Sequence, residues 1–80
     1  MKTKHFEELV DYLIHVKSPA DFKKKLEGLL TPSELNAICL RLQITRLLKE
    51  GVTQREIAKR LGVGIATVSR GSKEIQSGNL

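Results

Sequence analysis

Residues 62–72 read Gly-Val-Gly-Ile-Ala-Thr-Val-Ser-Arg-Gly-Ser, a run of short side chains around one arginine. A buried strand favours larger apolar residues, and a surface helix favours Ala, Leu, Glu and Lys. The chemistry this run offers is contact with a polyanion. Thr67 and Ser69 carry hydroxyls that hydrogen-bond a base edge or a phosphate. Ile65 and Ala66 offer apolar contact to thymine methyls, and bulk is excluded because a helix must press into a major groove roughly 12 Å wide. Gly64 lets the N–H groups of a helix start approach a phosphate. Arg55 and Lys59, a short way upstream, reach a duplex backbone or a guanine.

Charge points the same way. The net charge is +5, which favours an anionic partner. Residues 1–50 carry nine basic and seven acidic side chains, whereas residues 51–80 carry Arg55, Lys59, Arg60, Arg70 and Lys73 against Glu56 and Glu74 alone. The basic excess therefore concentrates beside the short-side-chain run.

Other chemistries find little support. Cys39 is the only cysteine, and with His5 and His15 it is too small a set for a four-ligand structural zinc. There is no phosphate-binding glycine loop with a lysine and no Ser/His/Asp set, so a non-enzyme is expected. Cys39 reads as a small core residue, and both histidines as solvent-facing. Phe6, Tyr12 and Phe22 read as core or dimer interface. No run approaches the roughly 18 apolar residues of a membrane span, and no segment resembles a signal peptide. A lone thiol suits a reducing cytosol, so a cytoplasmic setting without a membrane partner is expected.

These groups must be positioned by helices. Phe6, Leu9, Val10, Leu13 and Val16 recur at three- and four-residue steps and predict a helix near 4–16. Ser18-Pro19 predicts a helix start, opening a short helix near 19–29 that carries Lys23, Lys24 and Lys25. Thr31-Pro32-Ser33-Glu34 is a capping box, and Leu35, Ile38, Cys39, Leu42, Thr45 and Leu48 trace the long helix after it, ended by Gly51. Thr53-Gln54-Arg55-Glu56 forms a second box, Gly62-Val63-Gly64 breaks the helix it starts, and a last helix runs from Ala66 to about Ile75. No alternating pattern predicts a strand, so the fold class is all-α: one domain, with core and dimerisation helices over 1–51 and a helix-turn-helix over 53–75. A chain this short buries only about 60% of its unfolded surface, so a homodimer is expected.

The segments LTPSELNAICLRLQI (30–44) and TQREIAKRLGVGIATVSRGS (53–72) closely resemble the tryptophan repressor family, GIATVSRGS most specifically. The resemblance implies a dimeric regulator that binds a palindromic operator in double-stranded DNA when L-tryptophan is present. It places DNA contacts on Arg55, Gly64, Ile65, Ala66, Thr67 and Ser69. It also implies that Arg41 and Arg70 sandwich an indole ring, with Arg70 meeting the carboxylate. Carbonyls at Gly28, Leu30 and Thr31 would take the ammonium, and Gly71 would leave room for the ring. Where the family has a ligand-contacting serine, this chain has Glu74, able to pair with an ammonium or with Arg70. The link from Gly51 to Thr53 is one residue shorter than the family's, and the family continues into a further helix beyond the position of Leu80.

Two other readings fit the residues. One is a superfamily DNA-binding protein of replication-initiator or transposase type, with no amino-acid ligand. The other is a helical module whose basic face docks an acidic protein or RNA. On the first view Arg70 is a phosphate contact, and Arg41 a salt-bridge partner of Glu34 or of an acid on a partner chain.

Overall fold

The computed structural model describes residues 3–80, which form five helices: α1 (Thr3–Ile14), α2 (Pro19–Leu29), α3 (Pro32–Lys49), α4 (Gln54–Leu61) and α5 (Ile65–Gln76). All five expected helices are present, with ends shifted by one or two residues. The chain divides after Leu35 into two compact units. Among the described residues no helix is long and apolar enough to cross a membrane.

In the first unit, α1 stops at Ile14 rather than Val16. The chain must leave the helix early, because Ser18 precedes a proline and is extended at φ −161°, ψ 163°. There the Ser18 hydroxyl accepts the Asp21 N–H at 3.1 Å, and Asp21 Oδ2 accepts the Lys17 N–H at 3.1 Å. That backbone N–H and the nearby Lys25 ammonium hold the Asp21 carboxyl below its ordinary range. Lys25 Nζ lies 3.3 Å from Asp21 Oδ1 and 5.0 Å from the centre of the Tyr12 ring, which ties α2 to α1. Asp21 first, then Tyr12, raises the lysine's pKa.

Neither α1 nor α2 buries a residue. Phe6, Leu9, Val10, Tyr12, Ile14, Phe22 and Leu29 are all exposed. Of the two roles expected for Phe6, Tyr12 and Phe22, core is therefore excluded within the single chain.

At the start of α3 the capping box is complete. Glu34 N–H donates to Thr31 Oγ1 at 3.1 Å, and Thr31 N–H donates to Glu34 Oε1 at 2.8 Å. The Thr31 N–H, then its hydroxyl, keeps the Glu34 carboxyl below the usual carboxylate range, so the pair persists at neutral pH and is lost only in acid. The Glu34 carboxylate is thus spent on the cap, and no described ion pair links it to Arg41.

The second unit holds the core. Ile44, Ile57 and Val68 are at most 1% exposed, one each from α3, α4 and α5, with Leu47, Leu48, Val52, Ala58, Leu61 and Val63 packed around them. Thr45, also buried, donates its hydroxyl to the Arg41 carbonyl at 2.9 Å. Cys39 corrects an expectation: it is exposed, on a stretch of α3 where Ile38 and Leu42 are exposed too. Its apolar neighbours in sequence face outward with it, and the buried face of α3 turns instead through Ile44 and Thr45.

Two glycines shape the path from α3 to α5. Gly51 has φ 89° and Gly62 φ 65°, the left-handed region that side chains resist. After each, the next residue bonds back five positions: Val52 N–H to Leu47 O and Val63 N–H to Ala58 O, both at 3.1 Å. The two valines are thereby folded onto the core. Thr53 caps α4 by accepting the Glu56 N–H at 3.2 Å. The second box is made only by half, because Glu56 Oε1 accepts from Arg60 Nε at 3.1 Å instead.

Candidate nucleic-acid interface and ligand cavity

α4 and α5 pack against each other across the Gly62-Val63-Gly64 turn, anchored by Ile57 and Val68. This leaves Arg55, Lys59, Gly64, Ile65, Ala66 and Thr67 exposed, with Ile65 52% accessible despite its size. No side chain caps the start of α5, and its first turn contains no acid. The Ile65 and Ala66 N–H groups and the positive end of the dipole are therefore left without a side-chain partner, while the Thr67 N–H bonds the Gly64 carbonyl at 3.1 Å.

Gly64 is informative because the fold does not need it. Its backbone sits at φ −71°, ψ 152°, open to any residue, and an added Cβ would meet nothing within 4 Å. Ser, Asp or Asn would cap the helix better. Packing within the chain does not explain glycine there.

Ser69 is placed differently from its neighbours. Its hydroxyl donates to Gln54 Oε1 at 2.8 Å, linking the first residue of α4 to α5, and it is only partly exposed. The oxygen keeps acceptor capacity, but its proton is committed to joining the two helices. Gln54 went unnoticed in the sequence because nothing in its type or spacing announces a partner 15 residues away.

Behind the exposed tip lies a cavity of about 360 Å³, lined by Arg41, Ile44 and Thr45 of α3, by Thr67, Arg70, Gly71 and Glu74 of α5, and by Asn79 and Leu80. The spacing explains the walls. Positions 41, 44 and 45 share one face of α3, and 67, 70, 71 and 74 share one face of α5. The volume lies at the small end of ligand pockets, about 300–1,000 Å³. Four residues read as ligand contacts, Arg41, Arg70, Gly71 and Glu74, are thus together. Thr67, read as a DNA contact, stands on the cavity wall and at the exposed tip alike.

Gly28, Leu30 and Thr31 belong to the first unit. Leu30 closes α2, with its N–H on Leu26 O at 2.9 Å, and the Thr31 carbonyl accepts the Leu35 N–H at 2.9 Å. Glu74 does not pair with Arg70: its Oε2 accepts from Asn79 Nδ2 at 2.9 Å. Asn79 was not singled out in the sequence, because it lies in a polar stretch of the kind that usually frays.

Gly71 serves packing as well as the cavity. A Cβ there would stand 2.9 Å from Ile44 Cγ2 and 3.6 Å from Leu48 Cδ1. Ile44 is buried and stiff at its branched carbon, so it yields poorly. Gly71→Ala would gain about 1 kcal/mol of helix propensity. Overpacking costs about 1–3 kcal/mol. A net loss near 1 kcal/mol is expected in urea unfolding, and a variant more stable than the parent would contradict this packing.

An exposed, glycine-led helix packed on a short capped helix defines a helix-turn-helix, here backed by the cavity between α3 and α5. The family model for Trp repressor protein matches residues 4–79, well beyond the motif-bearing segments. A Trp operon repressor homolog of Vibrio vulnificus (strain YJ016) is 40% identical over 72 residues, covering 89% of this chain and 71% of the relative. One from Xylella fastidiosa (strain M23) is 38% identical over 76 residues, 94% of this chain and 83% of the relative. Another, from Vibrio cholerae (strain ATCC 39315 / El Tor Inaba N16961), is 36% identical over 73 residues, 90% and 71% of the two chains. The chain belongs to the Trp repressor family, a family of DNA-binding regulators. No solved structure matches it significantly.

Proposed function

We propose that the chain is a homodimeric transcriptional repressor that binds a palindromic duplex operator through α5 and takes L-tryptophan as co-repressor. The observation that carries the DNA reading is the tip of α5. Gly64, Ile65, Ala66 and Thr67 are exposed there, with no side chain capping the N–H groups of Ile65 and Ala66 and with a glycine the fold does not require. Arg55 and Lys59 supply sequence-independent attraction. Half-sites one helical turn apart are the spacing known for helix-turn-helix dimers, Trp repressors among them, and come from that class rather than from this chain.

The cavity supports the ligand reading. Guanidinium planes stack on aromatic rings and fork onto carboxylates, and Arg41 and Arg70 share its wall. Because Thr67 and Arg70 lie on the same helix as the exposed tip, a ligand held between α3 and α5 would fix the angle of the reading helix. A second copy of the chain is the partner expected for the apolar residues of α1 and α2. Burying side chains such as Phe6, Leu9 and Val10 contributes about 1.5–3 kcal/mol each, large against the marginal stability of a short monomer.

The test is selection from a randomised duplex pool with and without millimolar L-tryptophan. One palindrome enriched only in the tryptophan arm is expected. The same palindrome in both arms would remove amino-acid control, and no enrichment in either would remove DNA recognition.

A further inference from the structure

The cavity between α3 and α5 has a side that neither helix supplies. Arg41 and Thr45 line it from α3, and Lys49 follows four positions on, along the same face. From α5 it is lined as far as Glu74, and beyond that helix the chain turns back and sets Asn79 and Leu80 beside it. Leu80 lines the cavity while staying 52% exposed, so it stands at the mouth and not in the floor.

The turn is built almost wholly on α5. The Ser77 N–H donates to the Lys73 carbonyl at 2.9 Å, and the Ser77 hydroxyl to the Glu74 carbonyl at 2.8 Å. The Gly78 N–H bonds the Ile75 carbonyl at 3.1 Å, while the N–H groups of Asn79 and Leu80 both donate to the Glu74 carbonyl, at 3.1 and 3.3 Å. Gly78 takes φ 88°, which lets the chain reverse. Among the described residues, one hydrogen bond crosses from this turn to α3: Lys49 Nζ donates to the Leu80 carbonyl. A lysine in the last turn of a helix ordinarily serves the free carbonyls of its own helix end. Here its ammonium closes one end of the cavity instead.

We propose that residues 77–80 form a strap across the cavity mouth and that Lys49 is its latch, so that a small ligand enters and leaves when the Lys49–Leu80 bond opens. The bond suits that duty. It is exposed, and its donor is a compact ammonium on a flexible stem. Opening it leaves the core of Ile44, Ile57 and Val68 untouched, and Gly78 supplies the hinge. The proposal rests on the ligand reading given above and adds how the ligand passes in and out.

NMR titration with L-tryptophan, with line-shape analysis of the Gly71 amide, reads the association and dissociation rates separately. Lys49→Met removes the latch and keeps the apolar stem. Gly78→Ala disfavours the turn through its backbone alone, since an added Cβ meets nothing within 4 Å. Each variant is expected to raise both rates by about fivefold while Kd holds within about twofold, because a gate alters passage and not the closed complex. Lys73→Met removes a neighbouring exposed lysine and should keep the parent rates. Faster dissociation with unchanged association would make the strap a ligand contact and overturn the gate. Unchanged rates, or an equal effect of Lys73→Met, would overturn it too. Hydrogen exchange without ligand gives a second readout: the Asn79 and Leu80 amides should exchange slowly in the parent and faster in Lys49→Met, with the Ile57 amide unmoved. Fast exchange of both in the parent would overturn the strap and leave the ligand reading standing. Failure of the parent to bind tryptophan would overturn the ligand reading, and the gate with it.

Discussion

Ala66→Glu is expected to lose at least a hundredfold in duplex affinity while the protein melts at or slightly above the parent temperature. The two effects have opposite signs for one reason, the position of residue 66 in the first turn of α5. Within the protein, an acid there faces the positive end of the helix dipole and stabilises by about 0.3–1 kcal/mol. It is exposed, so the larger side chain meets no packing obstacle. Against DNA the same carboxylate is driven toward phosphates, and like-charge contact costs several kcal/mol. Fluorescence anisotropy with a labelled duplex, paired with a thermal melt, separates the two. Binding within tenfold of the parent would mean that α5 is not the reading element.

Ile57→Ala should also lose DNA binding, but through loss of stability, because the unit of α4 and α5 no longer folds. Ile57 is fully buried and is one of only three buried hydrophobic residues among those described. Truncating a buried isoleucine to alanine costs about 2–5 kcal/mol, against a total of about 5–15 kcal/mol for a small domain. With one third of the buried apolar set removed, neighbours such as Leu61 and Val63 have little left to collapse upon. Hydrogen exchange is expected to lose its protection across residues 53–76, and the helical signal to fall well below that of Ala66→Glu. Ile57→Val, which costs about 0.5–1.5 kcal/mol, should retain both fold and binding. A fully protected Ile57→Ala variant would contradict this small core.

Much of this architecture was legible in the residues, because its boundaries are set by local chemistry. Ser18, Thr31 and Thr53 cap the helices they were expected to cap, and Gly51 and Gly62 take the left-handed conformation that ends a helix. The exposed tip at Gly64–Thr67 was legible too, since short side chains there suit neither a core nor an ordinary surface helix. What the residues did not disclose depends on contacts distant in sequence. The apolar stripe drawn through Ile38, Cys39 and Leu42 includes residues that face outward, and it passed over Ile44, the residue of α3 with the least exposure. Helical periodicity reports that a stripe exists, but not which part of it meets this chain and which meets another. The same holds for Gly71, which looked like space for a ligand and also lets Ile44 approach α5. The Ser69–Gln54 and Asn79–Glu74 bonds depend on a turn bringing polar side chains together, and no spacing rule announces either.

The proposed coupling of the cavity to α5 is tested most directly by one number, the ratio of duplex affinities with and without L-tryptophan. Anisotropy titrations on a single labelled palindrome, at one fixed physiological salt concentration, supply it. Coupling between two sites ordinarily amounts to about 1–3 kcal/mol, or about 5–150-fold. Binding at least fivefold tighter with tryptophan is the expected result. Equal affinity in both conditions would contradict a ligand-set reading helix, and a duplex that is not bound in either would contradict DNA recognition by α5.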